Sequence, residues 1–488
     1  MFSLFRIRSV DRLLLLALFL LLCRAGLLLA DLPYVVPEIP WWLVGEKLLA
    51  GSLLYRDVLD DTPPVVALLY AGLSLVAPRS AYLSLLLGTG LVFVQALYFN
   101  RICTRYGQVD ERSYMPAVLY LLLANLCFDF AVLSPPLLAL TTLLPALSRV
   151  FTHIREGLEE HRVHETGFWI GFSAMIYLPS AVFIFFVAAS FLLYTGTRPR
   201  WYAVLGIGFL LPFIAAGFLF YFLGALDAFV DCYVRAPFTL AKQGYMSFSF
   251  LTLMLLPPLA LCVWAALRTL GHRGYINFQV VSNTVMVFWA GAALLSYPLS
   301  TWHQPACLWL LVPAGAYFLA QWSYLVRKGI LRELLLVALL GHTLVCLYLP
   351  FLPLRYLRTQ FFKQGLVYNP PARPALEGHK LLVMGTAMEL YLGNTPATPF
   401  LDRRLAAAAL DDTTDYAVRF KTYQAFRQDM PDVIVDADSS LQSFLRRMPI
   451  LARDYALQPG TDRMWFRIRR PQPGAAAAPT STSQAAEL

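Results

Sequence analysis

The chain has 488 residues, 58% of them hydrophobic and only 14% charged, against roughly a quarter charged in an ordinary soluble chain, so the solvent for most of its surface is lipid. Its formal charge of +9 is spread over short loops and the two ends, with no clustered patch and no aromatic-basic interleaving, which sets nucleic acid aside as a partner. Seven cysteines (Cys23, Cys103, Cys127, Cys232, Cys262, Cys307, Cys346) stand mostly in apolar segments without a CxxC pair, and they read as small core residues rather than a zinc or disulfide framework.

Taken in chain order, MFSLFRIRSVDR followed by LLLLALFLLLCRAGLLLA has a basic-then-apolar start without a small-residue cleavage site, and it reads as an uncleaved first span. Apolar segments lie near 13–30, 63–78, 80–99, 114–133, 135–151, 168–195, 201–223, 246–269, 280–301, 305–326 and 333–352, each about the 18 to 25 residues that cross roughly 30 Å of hydrocarbon as a helix closing its own hydrogen bonds. The segment 168–195 holds Pro179 and is either one kinked helix or a helical hairpin, a choice that flips the parity of everything after it. The expected span count is therefore about eleven, within ten to thirteen.

Loop charge sets the expected orientation. Arg6, Arg8 and Arg12 precede the first span, whereas the loop 31–62 has six acids (Asp31, Glu38, Glu46, Asp57, Asp60, Asp61) against two bases (Lys47, Arg56), a balance of −4. The amino end is expected in the cytoplasm and this loop outside. Linkers carrying Arg198, Arg200, Arg268, Arg273, Arg327, Lys328 and Arg332 read as cytoplasmic. With eleven spans the carboxyl end lies outside, in a cytoplasmic-type membrane.

Beyond the membrane body (1–352), residues 353–378 read as a linker, 379–470 as a small extracytoplasmic α/β domain and 471–488 as a disordered tail. KLLVMG (380–385) and DVIVD (432–436) are buried strands, Tyr416 to Gln428 is a helix, and RMWFRIRR (463–470) alternates like an edge strand. The predicted fold class is mainly α: a polytopic transmembrane helical bundle with a C-terminal α/β soluble domain.

The first outer loop, DLPYVVPEIPWWLVGEKLLAGSLLYRDVLDDTPPVVALLY, is longer and more acidic than a connector needs. Pro40 to Ala50 reads as a short amphipathic helix with Trp41 and Trp42 at headgroup level and Glu46 and Lys47 facing water. That helix would hold Glu38 at the membrane boundary, where a carboxylate can act as general base. Asp129, inside an apolar segment, is a site candidate because a carboxylate there is costly to bury.

The stretch PEIPWWLVGEKLLAGSLLYRDVLDDTPP resembles the first outer loop of the GT-C superfamily of membrane glycosyltransferases, which includes protein O-mannosyltransferases and the aminoarabinose transferase of lipid A. Glu38, Gly51, Tyr55, Asp57, Pro63 and Pro64 stand where that pattern has an acid, the Gly ending a helix, Tyr-x-Asp, and Pro-Pro. HQPACLWLLVPAGAYFLA (303–320) is similar to a late span of the family, and LLVMGTAMELYLGNTPATPFLD to its outer α/β domain.

The resemblance implies transfer of a sugar from a polyprenyl-phosphate-linked donor to a lipid, glycan or protein acceptor at the outer face. Glu38 would stand at the catalytic position, and Asp57, Asp60 and Asp61 would orient the acceptor or hold a divalent cation. Where the family carries a second acid this chain has LSPP (133–136), and Asp129 is the nearest carboxylate. For the donor phosphate the eligible cations are Arg56, Arg235, Lys242, His303 and Arg355. Arg24 snorkels or pairs with an acid such as Asp129.

Other features have plain readings. His153, His161 and His164 read as a solvated loop, and GTG (88–90) and GIG (206–208) as helix-packing glycines. A secondary transporter or lipid flippase is the alternative function, which an internal repeat would favour, and none is visible. A non-catalytic scaffold would lack a cavity at the outer loop.

Overall fold

A computed structural model describes residues 9–105, 113–157, 159–194, 198–244, 246–326, 329–351, 378–385, 387–397, 399–410, 416–457 and 464–467, together with residues 5, 366, 367 and 376. The tail 471–488, most of the linker 353–378, and Arg355 lie outside them.

The body is built from α1 (Val10–Leu28), α2 (Glu38–Leu49), α3 (Pro64–Val76), α4 (Ala81–Arg105), α5 (Met115–Leu123), α6 (Pro135–Glu156), α7 (Glu160–Ile176), α8 (Phe183–Tyr194), α9 (Pro199–Phe222), α10 (Phe248–Leu270), α11 (Asn277–Ser296), α12 (Val312–Leu325) and α13 (Gly329–Tyr348). Seven helical stretches, those containing α4, α6 and α9–α13, are long and apolar enough to cross a membrane. Several expose a lipid-type surface, where Phe222, Phe248 and Ile330 are largely uncovered, whereas Pro305–Leu325 is mostly buried inside the bundle.

The expected span at 63–78 does not cross. Both ends of α3 lie against the carboxyl domain: Asp61, just before it, meets Arg404, and Arg79, just after it, donates to the carbonyls of Tyr391, Leu392 and Asn394. α2 and α3 therefore form a helical layer on one face of the bundle, which we call the domain face. The outer loop thus reaches to residue 80 rather than 62.

The segment 168–195 is the opposite case. It breaks at Tyr177 to Val182 into α7 and α8, and α7 runs parallel to α9, with Gly167 against Leu205 and Gly171 against Phe209. Two parallel neighbours in sequence require the intervening α8 to return across the bundle. A side chain at Gly167, Gly171 or Gly208 would come within about 2.2 Å of a backbone carbonyl of the facing helix, so glycine permits this contact. The seven long apolar stretches are thus a different selection of segments from the eleven predicted, and Leu178–Tyr194 is a shorter apolar helical stretch beside them.

Three local expectations change. Trp41 and Trp42 are buried against Tyr70 of α3, ring centroids 5.8 and 4.9 Å apart, rather than presented on an open helix surface. Glu46 and Lys47 do not simply face water but pair with Arg79 and Asp429 at 2.6 and 3.1 Å. His153 is not in a solvated loop: it is buried in α6, 3.3 Å from the Thr166 hydroxyl. In each case a neighbouring element covers a face that one helix alone would leave exposed. The seven cysteines are unpaired, six buried and Cys262 half-buried.

The carboxyl unit holds β3 (Lys380–Met384), β4 (Thr395–Pro396), α14 (Tyr416–Gln428), β5 (Val433–Asp436), α15 (Leu441–Arg447), β6 (Tyr455–Leu457) and β7 (Met464–Arg467). An earlier two-residue strand, β2 (Leu366–Val367), pairs antiparallel with β1 (Tyr34–Val35) and ties the linker to the outer loop. The sheet order is β4-β3-β5-β7-β6, with β4, β3 and β5 parallel and the rest antiparallel. β7 is therefore paired on both sides, and β6 rather than β7 forms the edge. Leu382, Met384, Ile434, Phe426 and Phe444 form the core beneath one face of this sheet.

Candidate active site at the domain face

The acidic loop is held by its own local chemistry. Gly51, with φ +88°, ends α2, a backbone region glycine enters without steric cost. Tyr55 adopts φ 69°, rare for a bulky residue and sustained only by its surroundings. Its ring packs among Phe220, Phe229 and Tyr233, and its hydroxyl donates to the Thr62 carbonyl at 2.7 Å. The Asp57 carboxylate accepts from the Leu53 amide at 2.8 Å and closes the turn.

The loop is then clasped by the carboxyl domain, because Leu59 donates to the Pro399 carbonyl at 2.7 Å and accepts from the Asp402 amide at 3.0 Å. That two-bond clasp brings Asp60 and Asp61 beside Asp402, with carboxylate oxygens within 4.8 Å of one another. Arg404 sits among them, 2.6 Å from Asp402 and 3.3 Å from Asp61, with its guanidinium 5.2 Å from the Trp302 ring centre.

A third strand of the site comes from the helix connections. Gln243 donates to the Thr301 carbonyl at 3.1 Å and accepts from the His303 amide at 2.6 Å. This bridge places Lys242 and Trp302 on the same wall.

These groups line a chamber of about 1020 Å³ between the bundle and the domain, with Trp41, Asp60, Asp61, Lys242, Trp302 and Arg404 on its walls. A smaller recess of about 60 Å³ continues inward past Asp61 and Trp41 to Pro135, Pro136 and Tyr177. The carboxyl ends of the parallel strands β3 and β5 also open here, through Gly385, Ala437 and Asp438. That is the edge at which open α/β sheets take ligands.

Charge in the chamber is closely matched. Burial pushes the Asp60 carboxyl well above the usual carboxylate range, with Asp61 and Asp402 adding to it. Burial also raises Asp61, against the pull of Arg404. Arg404 is desolvated, yet Asp61 and Asp402 outweigh that and hold its guanidinium more firmly protonated than usual. Lys242 is lowered by burial and by Arg404, with Asp61 opposing, and it donates to the Pro237 carbonyl. Three carboxylates in one cluster are also the oxygen set that a divalent cation takes.

The other predicted residues are placed elsewhere. Glu38 begins α2 and is 1% exposed, one layer behind Pro37, Pro40 and Trp41, which do reach the chamber. It accepts from the Trp42 indole at 3.3 Å, and burial raises its carboxyl to about 7. Asp129 is buried in a short turn between α5 and α6, near enough to Glu38 for their charges to interact. Arg24 is held by Asn125, Thr89 and the carbonyls of Ala124 and Phe130.

Arg56 is exposed and paired with Asp57 at 2.9 Å, and Arg235 is exposed and paired with Asp231 at 2.6 Å. His303 stacks on Tyr297, its ring centre 5.0 Å away, with its pKa lowered by burial and by Lys242. Of the predicted groups the structure thus brings Asp60, Asp61 and Lys242 together. Asp402, Arg403 and Arg404 were missed, since LDRRL in a soluble domain carries no signal of contact with a loop over 300 residues earlier.

No protein-family model matches the chain, and no curated protein sequence does. Among solved structures, ArnT from Cupriavidus metallidurans bound to undecaprenyl phosphate is similar over 93% of this chain and 97% of its own, with a TM-score of 0.51 and 12% identity. The oligosaccharyltransferase AglB from Archaeoglobus fulgidus, in complex with an inhibitory peptide and a dolichol-phosphate, aligns over 93% of this chain and 73% of its own, with a TM-score of 0.44 and 11% identity. At the identity shared with ArnT what is common is the fold, over nearly the whole of both chains.

Proposed function

We propose that this protein is a membrane glycosyltransferase that takes a sugar from a polyprenyl-phosphate carrier and passes it to an acceptor entering the chamber at the domain face. The observation that carries the reading is the chamber itself, where Asp60 and Asp61 stand beside Lys242 and Arg404 at the junction of bundle and domain. The fold shared with a structure bound to undecaprenyl phosphate supports the class of donor.

In the reaction, an acceptor oxygen bonds to the anomeric carbon while the bond from that carbon to the phosphate oxygen breaks. The electron pair leaves with the polyprenyl phosphate, and the acceptor's proton passes to a carboxylate. A single displacement inverts the anomeric centre. We assign the proton acceptor to Asp61, which lines both the chamber and its inner recess. Lys242 and Arg404 stabilise the departing phosphate, a role for cations aimed where negative charge develops. Glu38, the position favoured by resemblance, lies behind the wall and acts through α2 rather than on substrate.

On this reading the amino end is in the cytoplasm and the domain face outside, as the loop charges favour. Alkaline phosphatase fused at the carboxyl end is expected to be active, and an inactive fusion would reverse the orientation.

The test offers undecaprenyl-phosphate-linked sugars, as a panel, to membranes containing the protein and measures release of undecaprenyl phosphate. Wild-type release that Asp61→Asn lowers at least about 100-fold is expected, the scale of a lost general base. Release unaffected by Asp61→Asn would overturn the assignment of the base. No release from any donor, together with no binding of undecaprenyl phosphate, would overturn the reading as a whole.

A further inference from the structure

The face opposite the chamber carries a second, smaller pocket that the transfer reaction does not use. α4 runs from Ala81 at the domain face to Arg105 at the far face, and its last two turns present Tyr98, Arg101 and Arg105 to a hollow of about 350 Å³. α6 closes the hollow with Pro145, Ser148 and Arg149, and α7 adds Trp169. Pro145 lies inside α6 and has no N–H to give the preceding turn, so the helix is loosened where the pocket opens.

The chemistry of the lining is specific. Arg149 pairs with Glu165 at 2.7 Å, which fixes it on the wall. Arg101 is exposed and has no carboxylate partner among the described residues. The carbonyl of Arg105 accepts from Arg155 at 3.4 Å, which ties the end of α4 to α6. Among the described lining residues the charged groups are Arg101, Arg105 and Arg149, with Glu165 beside Arg149. Guanidinium groups bind phosphate oxygens in bidentate fashion, and Ser148 adds a hydroxyl.

Its depth is equally telling. Along α4, Tyr98 stands about one turn inside Arg101 and two inside Arg105, and aromatic side chains near the ends of spanning helices favour the boundary between headgroups and acyl chains. Arg101 and Arg105 lie in the last two turns of α4, and long cationic side chains near a helix end can extend to headgroup level. Basic pockets between spanning helices at this level take phosphate headgroups of acidic lipids.

We propose that the far face of α4, α6 and α7 carries a binding site for the phosphate headgroup of an acidic membrane phospholipid, with Arg101, Arg105 and Arg149 on the phosphate and Tyr98 and Trp169 beside the upper acyl chains. The site is separate from the chamber and does not depend on the reaction assigned to it.

The test places the purified full chain in phosphatidylcholine nanodiscs with and without phosphatidylglycerol, and follows bound lipid by native mass spectrometry and stability by melting temperature. Retained phosphatidylglycerol and a raised melting temperature are expected for the wild type. The R101Q/R105Q variant is expected to lose about 30-fold in lipid affinity, the effect of removing two cations from a headgroup site, and R101K/R105K to keep most of it, which separates lost charge from lost folding. An unchanged lipid response in R101Q/R105Q overturns the proposal. A full response to inorganic phosphate alone, with no lipid, also overturns it, since the site would then read free phosphate.

Discussion

Two pairs of charged residues three positions apart in the same loop meet opposite fates. Arg56 and Asp57 pair with each other, 2.9 Å apart and largely exposed, and touch nothing in the chamber. Asp60 is buried and Asp61 half-buried, both line the chamber, and Asp61 meets Arg404 from the other end of the chain. What separates them is the clasp of Leu59 to Pro399 and Asp402. Up to Asp57 the loop turns back on itself, and beyond Leu59 it belongs to the interface. Acidic residues near a membrane acquire chemistry where a second unit desolvates them.

The largest test of that contrast removes the acid at the junction. Asp61→Asn is expected to lower transfer by two or more orders of magnitude, while Asp57→Asn changes it no more than a few-fold. Equal losses in both, read as rates of undecaprenyl phosphate release, would erase the distinction.

Next is the cation. Arg404→Gln leaves Asp60, Asp61 and Asp402 without their buried partner, and breaking such a cluster costs about 3 to 5 kcal/mol. A lower melting temperature together with lost transfer is expected, with Arg404→Lys recovering part of the stability but less of the activity, because a lysine cannot span both Asp61 and Asp402. Full activity in Arg404→Gln would remove the carboxyl domain from the site.

A smaller effect concerns Glu38, whose carboxyl is raised from an ordinary value near 4.5 to about 7 by burial. The folded form holds its proton more tightly than the unfolded chain, so the stabilisation is complete below the unfolded pKa and is lost as pH rises from about 4.5 through 7. The loss is on the order of 3 kcal/mol at the alkaline end. Glu38→Gln is therefore expected to raise the melting temperature at pH 8 relative to wild type and to change it little at pH 4.5, with transfer retained. Loss of transfer as complete as in Asp61→Asn would return the role of base to Glu38.

The smallest effects belong to the exposed pairs. Arg56→Ala and Arg235→Ala are expected to change stability by less than about 1 kcal/mol, as exposed ion pairs do, and to leave transfer within twofold. A strong defect in either would show that its ion pair opens to reach substrate.

Much of the architecture was legible because lipid imposes a rule that a sequence obeys locally. Apolar runs such as 201–223 and 333–352 read directly as spans, and the strands at Lys380–Met384 and Val433–Asp436 were plain from their apolar runs. The misplaced elements were those where hydropathy has two solutions. Pro64–Val76 is as apolar as a span yet packs with α2 on the domain face, whereas 168–195, read as either one kinked helix or a hairpin, holds two helices.

The sequence by itself determined that this is a membrane protein of many helices with a small α/β unit, and that its informative loop follows the first span. Those facts depend on composition and on periodicities a few residues long. Only the tertiary structure decided which acids gather in the chamber and that Arg404 joins them, and which arginines line the hollow on the far face. Such contacts join residues tens to hundreds of positions apart, and a carboxylate or guanidinium carries no mark in the sequence of the partner that will desolvate it.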